Sequence, residues 1–240
     1  MATHDEKGRL AEQLKDEFIA LVSDDLLTPI TAIKASAELI QTFADLGPQA
    51  KLARLSLSNI LASTGRLTAM VNDLLDISRL DTNSFQVAVR PISLRDFLPA
   101  VVSRLEIPPG HQHVDLTLRD GLPLAWADPA LLERIVKNLL ANAVKHSPPG
   151  AAISLQASAE SEKISISVID HGTGIAAQDL PHVFERLCRT PAGGLGLCLY
   201  ITRRSVEALN GHIRVTSKLG AGSTFTFSLP CVAAGHLSDR

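Results

Sequence analysis

Asn138 and Asn142 stand one helical turn apart, and Lys145 follows three residues later, so one side of a helix gathers two amide oxygens and an ammonium. Amide oxygens suit a hydrated Mg2+, which takes oxygen ligands and keeps several waters, while an ammonium suits phosphate oxygens. Alone, the same spacing also describes an exposed polar helix face. Further on, Asp170 ends the apolar run ISISVI and opens the glycine turn DHGTG. A carboxylate placed there can accept a hydrogen bond from an exocyclic amine such as that of adenine. Gly172 and Gly174 would let the backbone pass close to a flat base. A strand followed by a glycine turn is common, and this signal too is weak in isolation. Gly193, Gly194 and Gly196 are expected to open a helix whose apolar body is LGLCLYI. The free N–H groups and positive dipole end of such a helix favour phosphate, although a hinge or close helix packing would use the same glycines. In this order and at these spacings, the three signals together describe an ATP pocket.

Upstream, two long amphipathic helices are expected. Leu57, Ile60, Thr64, Leu67, Val71, Leu74 and Ser78 step by alternating three and four, as do Ile19, Val22, Leu26, Ile30, Ile33, Ala37 and Ile40 apart from one extra residue near Pro29. Proline's missing N–H should bend the first helix there. Leu46, Gly47 and Pro48 form a turn signal between them. Two such helices bury too little surface alone, so pairing with a second copy into a four-helix bundle predicts a homodimer. After Asp81 the pattern changes. A polar passage leads through Pro91 into a helix in SLRDFLPAVVSRL, strands in VDLTL and LAWA, and a helix from about Pro129 to Lys145. A hairpin of ISLQASA and KISISVID comes next, then a helix from Gly194 to Leu209 and a last hairpin, HIRVTS and STFTFSL. The fold class predicted is α+β, a helical hairpin followed by an α/β sandwich whose mixed sheet is covered on one side. The expected divisions are a polar lead over 1–13, the hairpin over 14–81, a linker over 82–92, the ATP-binding part over 93–230 and a tail over 231–240.

Composition narrows the classes. At 240 residues, 45% hydrophobic and 20% charged, the chain fits a globular protein, and its net charge of −2 with 4% aromatics argues against nucleic acid as a partner. Cys188, Cys198 and Cys231 are odd in number and lack metal spacing, which suits free thiols in a reducing cytoplasm. No apolar run approaches the roughly 18 residues that span a bilayer. The N-terminus is polar, unlike a signal peptide. A cytoplasmic protein is expected, or the cytoplasmic part of a sensor whose membrane segment lies in a missing N-terminal portion.

NLLANAVKHS, DHGTG and GGLGL resemble the N, G1 and G2 boxes of histidine kinases, within the wider ATPase superfamily that includes gyrase and Hsp90, and Phe184 in VFERLCR is similar to the F box. The hairpin resembles their dimerisation and phosphotransfer domain, so the likeness runs from about Leu14 to Pro230. DHGTGI and ADPALLERI are similar to the potassium-sensing branch. The resemblance implies ATP and Mg2+ as cofactors, with Asn138 and Asn142 serving the metal, Lys145 the phosphates and Asp170 the adenine. It further implies that Gly172 and Gly174 shape the base pocket while Gly194 and Gly196 border the phosphate lid. Ala192 departs from the usual glycine run, and the lid from Glu185 to Ala192 is short, which weakens phosphate contact and exclusion of water.

The acceptor segment of the family reads V-S-H-[ED]-L-R-T-P, and here Val22 to Pro29 read VSDDLLTP. Asp24 therefore occupies the phosphoacceptor position. It lies about 200° around the helix from both Val22 and Leu26, on the solvent face, with Thr28 one turn later. A neutral imidazole attacks a γ-phosphate near neutral pH, whereas a carboxylate of pKa ~3.9 is an anion and a weak nucleophile facing a polyanion. Autophosphorylation at position 24 is expected to fail. Other histidines are poor substitutes: His4 lies in the polar lead, and His111, His113, His146, His171, His182 and His212 fall in the ATP-binding part. Leu27 replaces the usual arginine. By resemblance, Asp25 occupies the acidic position that assists kinase chemistry, and Thr28 that which positions water for dephosphorylating a response regulator. The expected function is a divergent core that binds Mg-ATP and a response regulator and keeps phosphatase activity open. The alternative is a pseudokinase scaffold that sequesters a regulator or pairs with an active kinase. A serine kinase of the anti-sigma type would share the pocket but gives no reason for the hairpin.

Overall fold

The computed structural model describes residues 26–40, 50–81, 87–105, 114–160, 163–186 and 196–231. The chain divides into two compact units, with the break after Asp81. The first holds helix α1 over residues 26–40 and helix α2 over Ala50–Asp81. Hydroxyls on these helices bond back to the preceding turn: Thr31 Oγ1 donates to Leu27 O and Thr64 Oγ1 to Ile60 O, both at 2.8 Å. Among the described side chains the buried positions are occupied by small residues, Pro29 and Ser36 on α1 and Ser56 and Ser63 on α2, each pair two turns apart. Of the expected stripe on α2, Ile60, Leu67 and Leu74 are half-buried and Leu57, Thr64 and Val71 are exposed in the single chain, while the side chain of Ser78 lies outside the described residues. On α1, Leu26, Ile33 and Ile40 are half-buried while Ile30 and Ala37 are exposed. Ile19 and Val22 lie outside the described residues, and so does the expected turn at Leu46 to Pro48.

The second unit is an α/β sandwich. Its elements are β1 (Arg90–Ile92), α3 (Leu94–Ser103), β2 (Val114–Leu118), β3 (Ala125–Ala127), α4 (Pro129–His146), β4 (Ile153–Glu160) and β5 (Lys163–Asp170). A short 3-10 turn, Leu180–His182, precedes α5 (Cys198–Ala208), β6 (His212–Lys218) and β7 (Gly222–Pro230). The five-stranded sheet runs β2-β4-β5-β7-β6, with β2 and β4 parallel and all other neighbours antiparallel. β1 was not legible as a strand; it pairs antiparallel with β3, setting Pro91 opposite Trp126. A two-stranded ribbon tolerates proline because one of its edges needs no ladder donor.

Strict alternation explains how the sheet is covered. Along β5, Ile164, Ile166, Val168 and Asp170 point to the buried face, and along β7 so do Ser223, Phe225, Phe227 and Leu229. Against that face α4 packs Leu131, Leu132, Ile135, Val136, Leu139, Leu140 and Ala143. Each such leucine or isoleucine, fully buried, contributes roughly 1.5–3 kcal/mol. Asp128 caps α4, its Oδ1 accepting from Ala130 N at 2.8 Å and Leu131 N at 3.2 Å, with Pro129 in the first helical position where no N–H is needed. Asp128 Oδ2 accepts from Ala88 N at 2.9 Å and so ties the entry of β1 to the start of α4. α5 is shorter than expected. It begins at Cys198, because Gly196 has φ +63, a left-handed conformation that precludes a helix through it.

Candidate functional site

At the end of β5 the apolar rungs of the sheet give way to a polar one. Successive rungs on the core face read Ile166, Phe227, Ile213 and then Val168, Phe225, Val215; the next reads Asp170, Ser223, Ser217. Asp170 is buried, at 6% exposure. Its Oδ1 accepts from Gly172 N at 2.9 Å and Ser223 N at 3.2 Å. No hydrogen bond among the described residues falls on Oδ2. A buried carboxylate with one oxygen doubly satisfied and the other unengaged is an acceptor for an incoming N–H donor.

The glycine turn after Asp170 is docked at both ends. Thr173 N donates to His146 O at 3.2 Å, the last residue of α4, and Gly220 N donates to Thr173 O at 2.7 Å from the β6–β7 turn. Ile175 N donates to Ser217 Oγ at 2.8 Å. The sequence argues that Gly172 and Gly174 make way for a base, but their strictest demand is internal. A Cβ on Gly172 would collide with His146 O, and one on Gly174, whose φ is +67, with Lys218 O. The glycines hold the turn against α4 and the β6–β7 hairpin, and so fix where Asp170 sits.

α4 presents Asn138 and Asn142 to α5. Asn138 Nδ2 donates to Thr202 Oγ1 at 3.4 Å, and Asn142 Nδ2 meets Cys198 Sγ at 3.7 Å. With the NH2 ends turned to α5, neither amide oxygen carries a hydrogen bond among the described residues. Lys145 is exposed at the end of the same helix. His146 beside it is held below its ordinary value of 6.5, first by burial and then by the Lys145 charge, with Asp170 opposing. The last turns of α4 thus stand beside both the Asp170 turn and the start of α5.

Other expected residues lie elsewhere. Phe184 is half-buried and meets Phe225 edge to face, 6.2 Å between centroids at 88°. With Tyr200, Arg203 and Arg204 it borders a groove of about 350 Å3 that none of Asn138, Asn142 and Asp170 lines. On that groove Glu207 is pushed up by burial but held lower overall by Arg203 and Arg204, which it pairs with at 2.8 and 3.2 Å. Gly196 precedes α5; Ala192, Gly193 and Gly194 lie outside the described residues, as do Asp24 and Asp25. Thr28 and Leu27 are exposed on α1, and His171 is exposed with Nδ1 3.2 Å from Ala152 O. Cys231 is a free, half-buried thiol, and Cys198 is half-buried beside Asn142. Sequence reasoning missed Ser217, Ser223, Thr202 and His146. The first two were signalled by serines on the core face of otherwise apolar alternations, HIRVTS and STFTFSL.

Two family models match. The His Kinase A (phospho-acceptor) domain covers residues 14–83, and the histidine kinase-, DNA gyrase B-, and HSP90-like ATPase covers residues 127–233. The circadian input-output histidine kinase CikA of Synechococcus elongatus is 31% identical over 233 residues, covering 93% of this chain and 31% of its own length. The sensor-like histidine kinase SenX3 of Mycobacterium tuberculosis is 31% identical over 238 residues, covering 95% of this chain and 57% of its own length. The chain therefore spans from under a third to just over half of these relatives. Full-length ShkA in complex with AMPPNP superposes with a TM-score of 0.66 at 25% identity, over 91% of this chain and 47% of that one. No helix among the described residues is long and apolar enough to cross a membrane. With both family models in chain order and relatives aligned across the hairpin and the sandwich alike, the chain belongs to the histidine kinases, as a two-component sensor histidine kinase catalytic core.

Proposed function

We propose that this core binds Mg-ATP and a response regulator, does not phosphorylate itself at position 24, and acts on the regulator as an aspartyl-phosphate phosphatase. The observation that carries the proposal is the pairing of a buried Asp170, one oxygen still open to a donor, with an aspartate where the family bears its acceptor histidine. Asp170 would accept the exocyclic amine of adenine. Asn138 and Asn142 would offer amide oxygens to Mg2+, and Lys145, one turn on, would meet the phosphates. The donor set suits that ion: with the Asn138 and Asn142 NH2 groups turned to α5, their amide oxygens can join waters and phosphate oxygens around a hard cation. Bound there, Mg2+ would neutralise phosphate charge.

At the other end of the reaction, the carboxylate of Asp24 is a weak nucleophile and repels the triphosphate. Asp25 and Thr28 still suit the reverse chemistry. Thr28, exposed on α1, would accept a hydrogen bond from a water that attacks a phosphoaspartate of the regulator, which needs no phosphorylated histidine on this chain. The hairpin would pair with a second copy through its exposed leucines. A pseudokinase scaffold, favoured by Asp24, Leu27 and Ala192 together, shares the ATP site and differs only in lacking phosphatase turnover. After incubation with γ-labelled ATP the chain should carry no acid-labile, base-stable phosphate. Phosphorylated regulator should lose its phosphate faster in its presence, with Thr28→Ala slowing that loss roughly 100-fold. A phosphohistidine signal on the unaltered chain contradicts the proposal, and a regulator decay unaffected by Thr28→Ala leaves only the scaffold.

A further inference from the structure

Ser217 lies one strand away from Ser223 and two from Asp170, on the same rung of the sheet. We infer that Ser217 is a positioning residue that sets the hydrogen-bond polarity of the base pocket, and thereby its preference for adenine over a 6-oxo purine; the inference rests on the reading that Asp170 receives the base. A serine hydroxyl has one proton to donate and two lone pairs. Ser217 Oγ donates to Gly222 O at 2.8 Å and accepts from Ile175 N at 2.8 Å, and it stands 2.9 Å from Ser223 Oγ. Its own proton is committed to Gly222. The remaining bond must therefore run from Ser223, whose hydroxyl donates to Ser217.

That assignment fixes what Ser223 can offer. With its O–H turned to Ser217 and its N–H on Asp170 Oδ1 at 3.2 Å, Ser223 retains only acceptor capacity beside the carboxylate. The rung then presents acceptors alone, from Asp170 and Ser223. An exocyclic amine supplies two N–H donors to such an edge, directly or through water. The carbonyl of hypoxanthine or guanine at that place meets acceptors only and leaves them unsatisfied, which is costly for buried groups. Removing the Ser217 hydroxyl would release the Ser223 proton, and Ser223 could then donate to a carbonyl. The same hydroxyl also holds Ile175, at the far end of the Asp170 turn.

The experiment compares equilibrium affinities of the full chain for ATP and inosine triphosphate, by calorimetry. The wild-type chain should prefer ATP. Ser217→Ala should reduce that preference roughly tenfold, the size expected for one misdirected hydrogen bond. Ser217→Thr, which keeps the hydroxyl, should restore it. Ser217→Cys keeps the volume but not the strong hydroxyl, and should behave as alanine even if the alanine variant folds poorly. A purely structural serine would weaken both nucleotides equally, so an unchanged preference in Ser217→Ala and Ser217→Cys overturns this inference alone. A wild-type chain that binds neither nucleotide overturns the pocket reading and this inference with it.

Discussion

Among the described side chains of the hairpin, the shielded positions carry Pro29, Ser36, Ser56 and Ser63, while Leu27, Ile30, Leu39, Leu55, Leu57, Leu61 and Val71 stand 44–72% exposed. In the second unit the reverse holds: Leu139, Ile166, Phe227 and their neighbours are fully buried, and the polar Asp170, Thr202 and Ser223 sit among them. Among the described residues, every member of the apolar core cluster lies beyond Asp81. The sandwich thus completes its own core with polar groups set into it, whereas the described part of the hairpin leaves large apolar side chains exposed. Exposed large apolar side chains on a helix are a surface that the proposed pairing with a second copy would cover.

That contrast can be broken in the sandwich first. Gly222 has φ +94, and a Cβ on it would collide with Asp170 O. Gly222→Ala should cost on the order of 3–5 kcal/mol, combining left-handed strain with overpacking. Thermal melts should show the loss in the sandwich transition with the hairpin's helicity unaffected; a loss shared by both would mean the units are not independent. The hairpin is tested by Leu57→Glu together with Val71→Glu, both exposed in the single chain. Charges buried in a dimer interface should weaken association by roughly 3 kcal/mol, about 100-fold or more, and reduce helicity. A chain whose mass and helicity are untouched would show that this flank faces water. The smallest effect is one of pH. Because His146 is held below 6.5 when folded, the unfolded chain takes up its proton first. Sandwich stability should be full above pH 6.5 and fall as pH drops through the depressed value, by about a few degrees in Tm. His146→Phe should flatten that decline in the sandwich and change nothing in the hairpin.

The strands and helices of the sandwich were legible wherever alternation or helical period was strong, as in KISISVID and PALLERIVKNLL. β1 was not, since three residues with a proline carry no period and its strand character comes from pairing with β3. The start of α5 was misplaced because glycine alone does not reveal whether its φ is helical; at Gly196 it is not. On α2 the periodic stripe was legible from its spacing of three and four, while which of its residues are half-buried within the single chain was not. Asp170 stood out by its place after an apolar strand. Ser217 and Ser223 left a local trace as serines within apolar alternations, but that they share a rung with Asp170 needed the register of three strands.

Calorimetric titration of ATP into the full chain, with Mg2+ present and absent, and into Asp170→Asn, addresses the nucleotide site itself. The unaltered chain should bind ATP, more tightly with Mg2+, and Asp170→Asn should weaken binding tenfold or more, roughly the effect of replacing a buried acceptor with a donor. Heat signals absent from the unaltered chain, or an affinity indifferent to Asp170→Asn, would contradict the assignment of this rung to the base.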